Sequence, residues 1–181
     1  EQIASALDQV GCTAEDLGQE VRLEVHGGCA DPSDIRSIID AVQSPAVRVC
    51  WNSNPEDLRG RGFDRHFDML RPCFGDTVHV RELDDHRYPF TLLTRRLVET
   101  GWSGWVLLEA HTRPGPRQER IEDLKRQRAL FRSMMDEARI EPSEQPLALS
   151  ADQTSDGIEI RTGGELLSAT RRTSWGPVLF P

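Results

Sequence analysis

A chain of 181 residues, 37% hydrophobic and 29% charged, has room for one ordinary domain, with or without a small appendage. Mean hydropathy is −0.52, no run approaches the roughly 18 to 20 apolar residues of a spanning helix, and the opening stretch lacks the basic-then-apolar texture of a secretion signal, so no membrane association and a cytoplasmic location are expected. Thirty acidic residues against 22 basic ones give a formal charge of −8 with no basic stripe, which argues against nucleic acid as a partner.

In chain order, Ile3, Leu7 and Val10 recur at helical spacing, with Gly11 read as the close of that segment. Val21 to Val25 (VRLEV) has the texture of a strand. Asp31-Pro32 then supplies a helix cap and a first helical residue, and Ile35, Ile38, Ile39 and Val42 form its inner stripe. The alternation repeats: a strand over 46–51 (AVRVCW), a helix marked by Phe63, Phe67 and Leu70, and a strand over 77–80 (TVHV). Pro89 opens a further helix bearing Leu92, Leu93, Leu97 and Val98, closed by Gly101. A fourth strand, 105–108 (WVLL), leads into a charged helix over about 118–138 with Ile121, Leu124 and Phe131 inward. Strands alternating with helices of this length predict βαβ units and a parallel sheet. Residues 141–156, rich in Pro, Ser, Gln and acidic side chains, read as a linker. Beyond it, 157–161 and 165–170 read as a hairpin around Gly163-Gly164, and 175–181 as a tail without a strand of its own.

The four cysteines, Cys12, Cys29, Cys50 and Cys73, are separated by 17, 21 and 23 residues with no C-x-x-C pair, so structural zinc is not expected and the thiols read as reduced packing residues. His66 and His86 read as surface residues, Asp84-Asp85 as a turn, and Trp51, Trp102 and Trp105 as packing.

The sharpest signal lies at the strand ends, where Glu24, Asn52, His79 and Glu109 stand 28, 27 and 30 residues apart, about one βα unit each time. Equal phase in successive units puts all four at the carboxyl ends of neighbouring parallel strands, where α/β proteins build ligand sites. A polar-x-polar pattern extends each end: Glu24 and His26, Asn52 and Asn54, His79 and Arg81, Glu109 and His111. Two carboxylates, an imidazole and an amide suit a hard divalent cation, Mn or Mg, better than a thiolate-seeking metal. Such an ion polarises a carbonyl and hydroxyl pair while carboxylates move protons.

The segments LEVHGG (23–28), VRVCWNSNP (47–55), TVHVRELDD (77–85) and GWSGWVLLE (101–109) resemble the second half of the xylose-isomerase-like TIM barrels. That family includes sugar-phosphate isomerases and epimerases, hydroxypyruvate isomerase and metal-dependent endonucleases for abasic sites. The resemblance spans about residues 1–140 and implies an α/β fold of about four βα units, half a barrel. It implies metal ligation by Glu24, Asn52, His79 and Glu109, with Glu24 and Glu109 as the acid and base pair. His26, Arg81 and Arg87 become candidates for substrate contact, the substrate being a small sugar or sugar phosphate. At the second ligand position the family has Asp where this chain has Asn52, which removes one negative charge; Asn54 and Asp57 are the residues near enough to compensate.

A complete barrel has eight strands, so the resemblance further implies a missing amino-terminal half or a self-associating half-barrel with an exposed inner face. More loosely, DGIEIRTGGELLSA and GPVLFP near the end resemble the opening strands of methane-oxygenase-like β-domains, implying the start of a second module. The expected activity is proton transfer between adjacent carbons of a hydroxy-carbonyl compound. The alternatives are a non-catalytic carbohydrate-binding or scaffold module with a degenerate metal site and, against the −8 charge, a nuclease.

Overall fold

Strands form where β-branched and aliphatic residues alternate with polar ones, and in the computed structural model four such segments lie side by side: Val21–Glu24 (β1), Val47–Asn52 (β2), Phe74–Val80 (β3) and Trp105–Leu108 (β4). The structure describes residues 1–111, 115–140, 149–154, 157–162, 165–173 and 176–180. All three pairings in this sheet are parallel and the order is β1-β2-β3-β4, as the βα alternation predicts. Helices α1 (Gln2–Asp16), α2 (Pro32–Ala41), α3 (Phe63–Leu70), α4 (Phe90–Glu99) and α5 (Arg117–Ile140) precede, connect and follow the strands. Asp31 caps α2 as expected, its side chain accepting from Ser33 N at 2.8 Å with Pro32 in the first turn.

The two faces of the sheet have different jobs. Alternate residues Leu23 and Val25, Val49 and Trp51, Phe74, Val78 and Val80, and Val106 and Leu108 belong to one hydrophobic cluster with Ile35, Phe67, Leu70, Leu93 and Leu97 from the helices. The other parity, Arg22 and Glu24, Arg48, Cys50 and Asn52, Thr77 and His79, Trp105 and Leu107, takes no part in that cluster. On this second face Trp105 is 73% exposed and Leu107 43%. Trp51 and Trp102 do pack, Trp102 also donating from Nε1 to Gly75 O at 2.9 Å, but Trp105 does not.

Helix α1 forms where the helical spacing of Ile3, Leu7 and Val10 predicts one, but those residues do not form its buried face. Ala4, Gly11 and Ala14 are buried, whereas Ile3 and Val10 are 46% and 56% exposed. Gly11 does not end the helix; it lies in its middle, where a Cβ would sit 2.6 Å from Ser44 Oγ and 2.8 Å from Val47 Cγ2. Small residues let this helix approach β2 closely, and hydrophobic periodicity does not register them. On α5, Leu124 is likewise 56% exposed rather than inward. That helix is pinned instead by buried Gln127, which accepts from Leu83 N at 2.7 Å and donates to Asp84 Oδ1 at 2.8 Å.

The chain divides into two compact units, Glu1–Arg139 and Ile140–Pro181. In the second, β5 (Leu149–Thr154), β6 (Gly157–Thr162), β7 (Glu165–Thr173) and β8 (Gly176–Phe180) form an antiparallel sheet in sequence order. The expected hairpin is its β6-β7 pair. The reading of 141–156 as linker is corrected over 149–154, a strand, and 176–180 is a strand rather than a loose tail. Composition misleads here because a ladder partner, not local propensity, makes these strands. The remaining positions of the expected linker, 141–148 and 155–156, and the Gly163-Gly164 turn lie outside the described residues. No helix among the described residues is long and apolar enough to cross a membrane.

Candidate metal centre

Each strand of the parallel sheet stops where its sequence offers turn chemistry, and the stops are stitched to one another. After β1 the chain turns at Gly27, whose φ of +60° suits glycine. After β2, Asn54 and Asp57 form a reciprocal capping pair around the turn Pro55–Leu58, with Asn54 N donating to Asp57 Oδ2 at 3.0 Å. The Asn54 amide donates to Val25 O and to Asn52 O, tying β1 to β2. Arg81 N donates to Ser53 Oγ at 3.2 Å, tying the end of β3 to that of β2. Glu109 N donates to Val80 O at 2.7 Å, tying β4 to β3.

This stitching brings the four predicted ligands together, Asn52 through its contact with Glu24. Glu24, His79 and Glu109 each offer one ligand atom, all within 4.8 Å of one another. His79 Nδ1 lies 3.0 Å from Glu24 Oε1 and 3.8 Å from Glu109 Oε2. Glu24 and His79 are half-buried, and the Glu109 side chain is 58% exposed, so the cluster opens to solvent on one side.

Asn52, the fourth predicted ligand, plays a different part. Its Nδ2 donates to Glu24 Oε1 at 2.8 Å and lies 3.2 Å from His26 Nδ1. A carboxylate only accepts, so the amide nitrogen is the atom turned toward Glu24 and the amide oxygen is turned away. With Asn52 donating to it, His26 Nδ1 is the unprotonated ring nitrogen. In this arrangement Asn52 holds Glu24 and His26 in place. The charge argument gives the reason: Asp here would set a second carboxylate against Glu24, whereas Asn neutralises the contact through an N–H.

Neither proposed substitute reaches the cluster. Asn54 is spent on the strand ends. Asp57 is fully buried beneath them, with Oδ2 accepting from Tyr88 OH at 2.6 Å and from Asn54 N, and Oδ1 without a partner among the described residues. Burial pushes its carboxyl up to about 7, against the opposing pull of the Tyr88 hydrogen bond. Trp51 Nε1 donates to Tyr88 Oη at 3.1 Å, so a buried chain runs Trp51–Tyr88–Asp57. His66, expected at the surface, is buried under the same turn, its Nδ1 lying 2.9 Å from Asp57 O.

No family model and no curated protein matches this chain.

Among the other predicted substrate contacts, His26 reaches the cluster through Asn52 and is exposed. Arg81 and Arg87 instead line a neighbouring cleft with Ser53 and Tyr88. Arg87 is exposed and held by Asp85, which takes Nε at 2.8 Å and Nη2 at 2.8 Å; that contact keeps the Asp85 carboxyl down at about 2. The Asp84-Asp85 turn thus has work on both sides, Asp84 binding Gln127 and Arg126 of α5. Sequence reasoning missed Ser53 and Tyr88, and it placed Asp57 at the cation rather than beneath the strand ends. The run Asn54-Pro55-Glu56-Asp57 is a capping signature that could have assigned Asp57 to the turn.

Proposed function

We propose that the first unit carries a divalent-cation site on Glu24, His79 and Glu109 and belongs to the class of metal-dependent sugar or sugar-phosphate isomerases and epimerases. The observation that carries this reading is the convergence of two carboxylates and an imidazole from three parallel strands on one uncovered sheet face, at the strands' carboxyl ends. The one-sided helical cover is what half of a βα barrel would present. The donor set is hard and borderline, suited to Mn or Mg. When bound, such an ion supplies polarisation of a carbonyl and its neighbouring hydroxyl. Glu24 is oriented by Asn52 and lies against His79, whereas Glu109 is open to water. That division suits a pair in which one carboxylate takes a carbon-bound proton and the other, in exchange with solvent, returns one.

A Mn titration of the full chain followed by thermal unfolding tests the site. The melting temperature is expected to rise with Mn, and Glu109→Gln, at an exposed position, is expected to abolish the rise while leaving the metal-free melting temperature unchanged. No rise in the parent chain overturns the reading. Turnover is checked in heavy water by proton NMR on a panel of aldoses and ketoses: exchange next to the carbonyl is expected, and its loss in both Glu24→Gln and Glu109→Gln.

A second reading, a carbohydrate-binding module without turnover, is favoured by one observation: the Asn52 amide already donates to Glu24 Oε1. Asn52→Asp separates the two. Restoring a charge beside Glu24 is expected to tighten Mn binding by about tenfold, the equivalent of roughly 1.4 kcal/mol. An unchanged affinity, measured by calorimetry, counts for the second reading.

A further inference from the structure

Beside the carboxylate and histidine cluster lies a cleft of about 230 Å³, lined by Ser53, Arg81, Asp85, Arg87 and Tyr88 among others. Its polar groups are unevenly used. Arg87 is engaged by Asp85, and the Tyr88 hydroxyl by Asp57 and Trp51. Arg81 is half-buried, and its guanidinium has no hydrogen bond or ion pair among the described residues; only its backbone N–H is bonded. Ser53 is 1% exposed, and its oxygen accepts that N–H. A hydroxyl also carries one donor, and among the described residues the Ser53 O–H has no acceptor. A half-buried cation, which meets Asp85 and Asp57 through its charge alone, and a fully buried O–H therefore face one cleft without a hydrogen-bond acceptor among the described residues, and both are donors. Groups of that kind are satisfied by an anion.

Position along the chain ties this cleft to the proposed chemistry. Ser53 directly follows Asn52, and Arg81 stands two residues beyond His79, a span of about 7 Å in extended backbone. That is the reach of a short sugar chain whose carbonyl end is held at the cluster and whose far end carries a charged group. Arg81 and Arg87 against Asp85 leave the lining with a net positive charge. The buried Asp57 carboxyl feels the Arg81 charge but takes its hydrogen bond from Tyr88.

We infer that the Arg81 guanidinium and the Ser53 hydroxyl form a phosphate subsite, so that the substrate of the first unit is a phosphorylated sugar rather than a neutral one. The inference rests on the reading of Glu24, His79 and Glu109 as the reacting centre only for the word substrate; the anion site itself stands on the cleft.

The test is calorimetry of the full chain with inorganic phosphate and no added metal. The parent chain is expected to bind phosphate, and Arg81→Gln to weaken it by at least about tenfold, the loss of one charge-assisted pair. Arg81→Lys should restore part of the affinity, and Arg87→Gln should cost less because Asp85 already occupies that side chain. Glu109→Gln should leave phosphate binding unchanged, while Arg81→Gln should keep the Mn-induced rise in melting temperature, which also shows that the variant folds. Phosphate binding that ignores Arg81→Gln, or no phosphate binding in a chain that still responds to Mn, overturns the subsite. Acetate binding as tightly as phosphate overturns the phosphate assignment. If phosphate binds through Arg81 but Mn has no effect, the subsite stands and the metal-dependent reading falls.

Discussion

Trp51→Ala is expected to lower the folding free energy by about 4 kcal/mol, read as a fall in the urea midpoint at unchanged slope. Trp51 is fully buried and meets three rings edge-on or tilted, with centroids 5.9 Å from Phe63, 5.8 Å from Phe67 and 5.6 Å from Phe74. Truncation removes the transfer energy of the indole, leaves a cavity among rings that belong to two different elements, and strips Tyr88 of its donor. A domain holds only about 5–15 kcal/mol in all, so the variant should sit near the edge of folding. Trp105→Ala is the internal control. At 73% exposure it should change stability by no more than about 0.5 kcal/mol. Equal costs at the two positions would mean that the core does not lie on the helical side of the sheet.

The second large effect is electrostatic and depends on pH. Burial raises the Asp57 carboxyl to about 7 in the folded chain, whereas an unfolded chain ionises Asp near 3.9. Between those values the folded state keeps a proton that the unfolded state has released, so stability falls as pH rises through the window and the loss is complete above about pH 7. A shift of about three units corresponds to at most ~4 kcal/mol, with relaxation lowering it toward ~2. Asp57→Asn keeps an acceptor for Tyr88 and removes the charge. The variant is expected to match the parent at pH 4 and to exceed it by about 2–4 kcal/mol at pH 8, measured by urea unfolding of both chains at both pH values. A difference that stays constant between pH 4 and pH 8 contradicts the assignment.

Much of the first unit was legible because period carries information about neighbours. Val49 and Trp51 alternate with polar residues, Ile35 and Ile39 recur at helical spacing, and Asp31-Pro32 caps the helix that bears them. Equal phase likewise predicts the convergence of Glu24, His79 and Glu109. What escaped depends on contacts between distant residues. Gly11 is buried because Ser44 and Val47 crowd it, and His66 because its ring meets the Asp57 carbonyl. The direction of the Asn52 amide is set by a carboxylate 28 residues earlier in the chain. Strand β5 exists through its ladder with β6, which no window of local composition contains.

The arrangement of the parallel sheet separates two burdens that many proteins load onto the same side chains. Packing falls on Val49, Trp51, Val78 and their neighbours, and the proposed site falls on residues of opposite parity that belong to no hydrophobic cluster. A substitution at Thr77 or Leu107 therefore reshapes what a ligand would meet while leaving the cohesion of the fold almost untouched. Specificity on that side is open to redesign one strand position at a time, with the helices opposite serving as a fixed foundation.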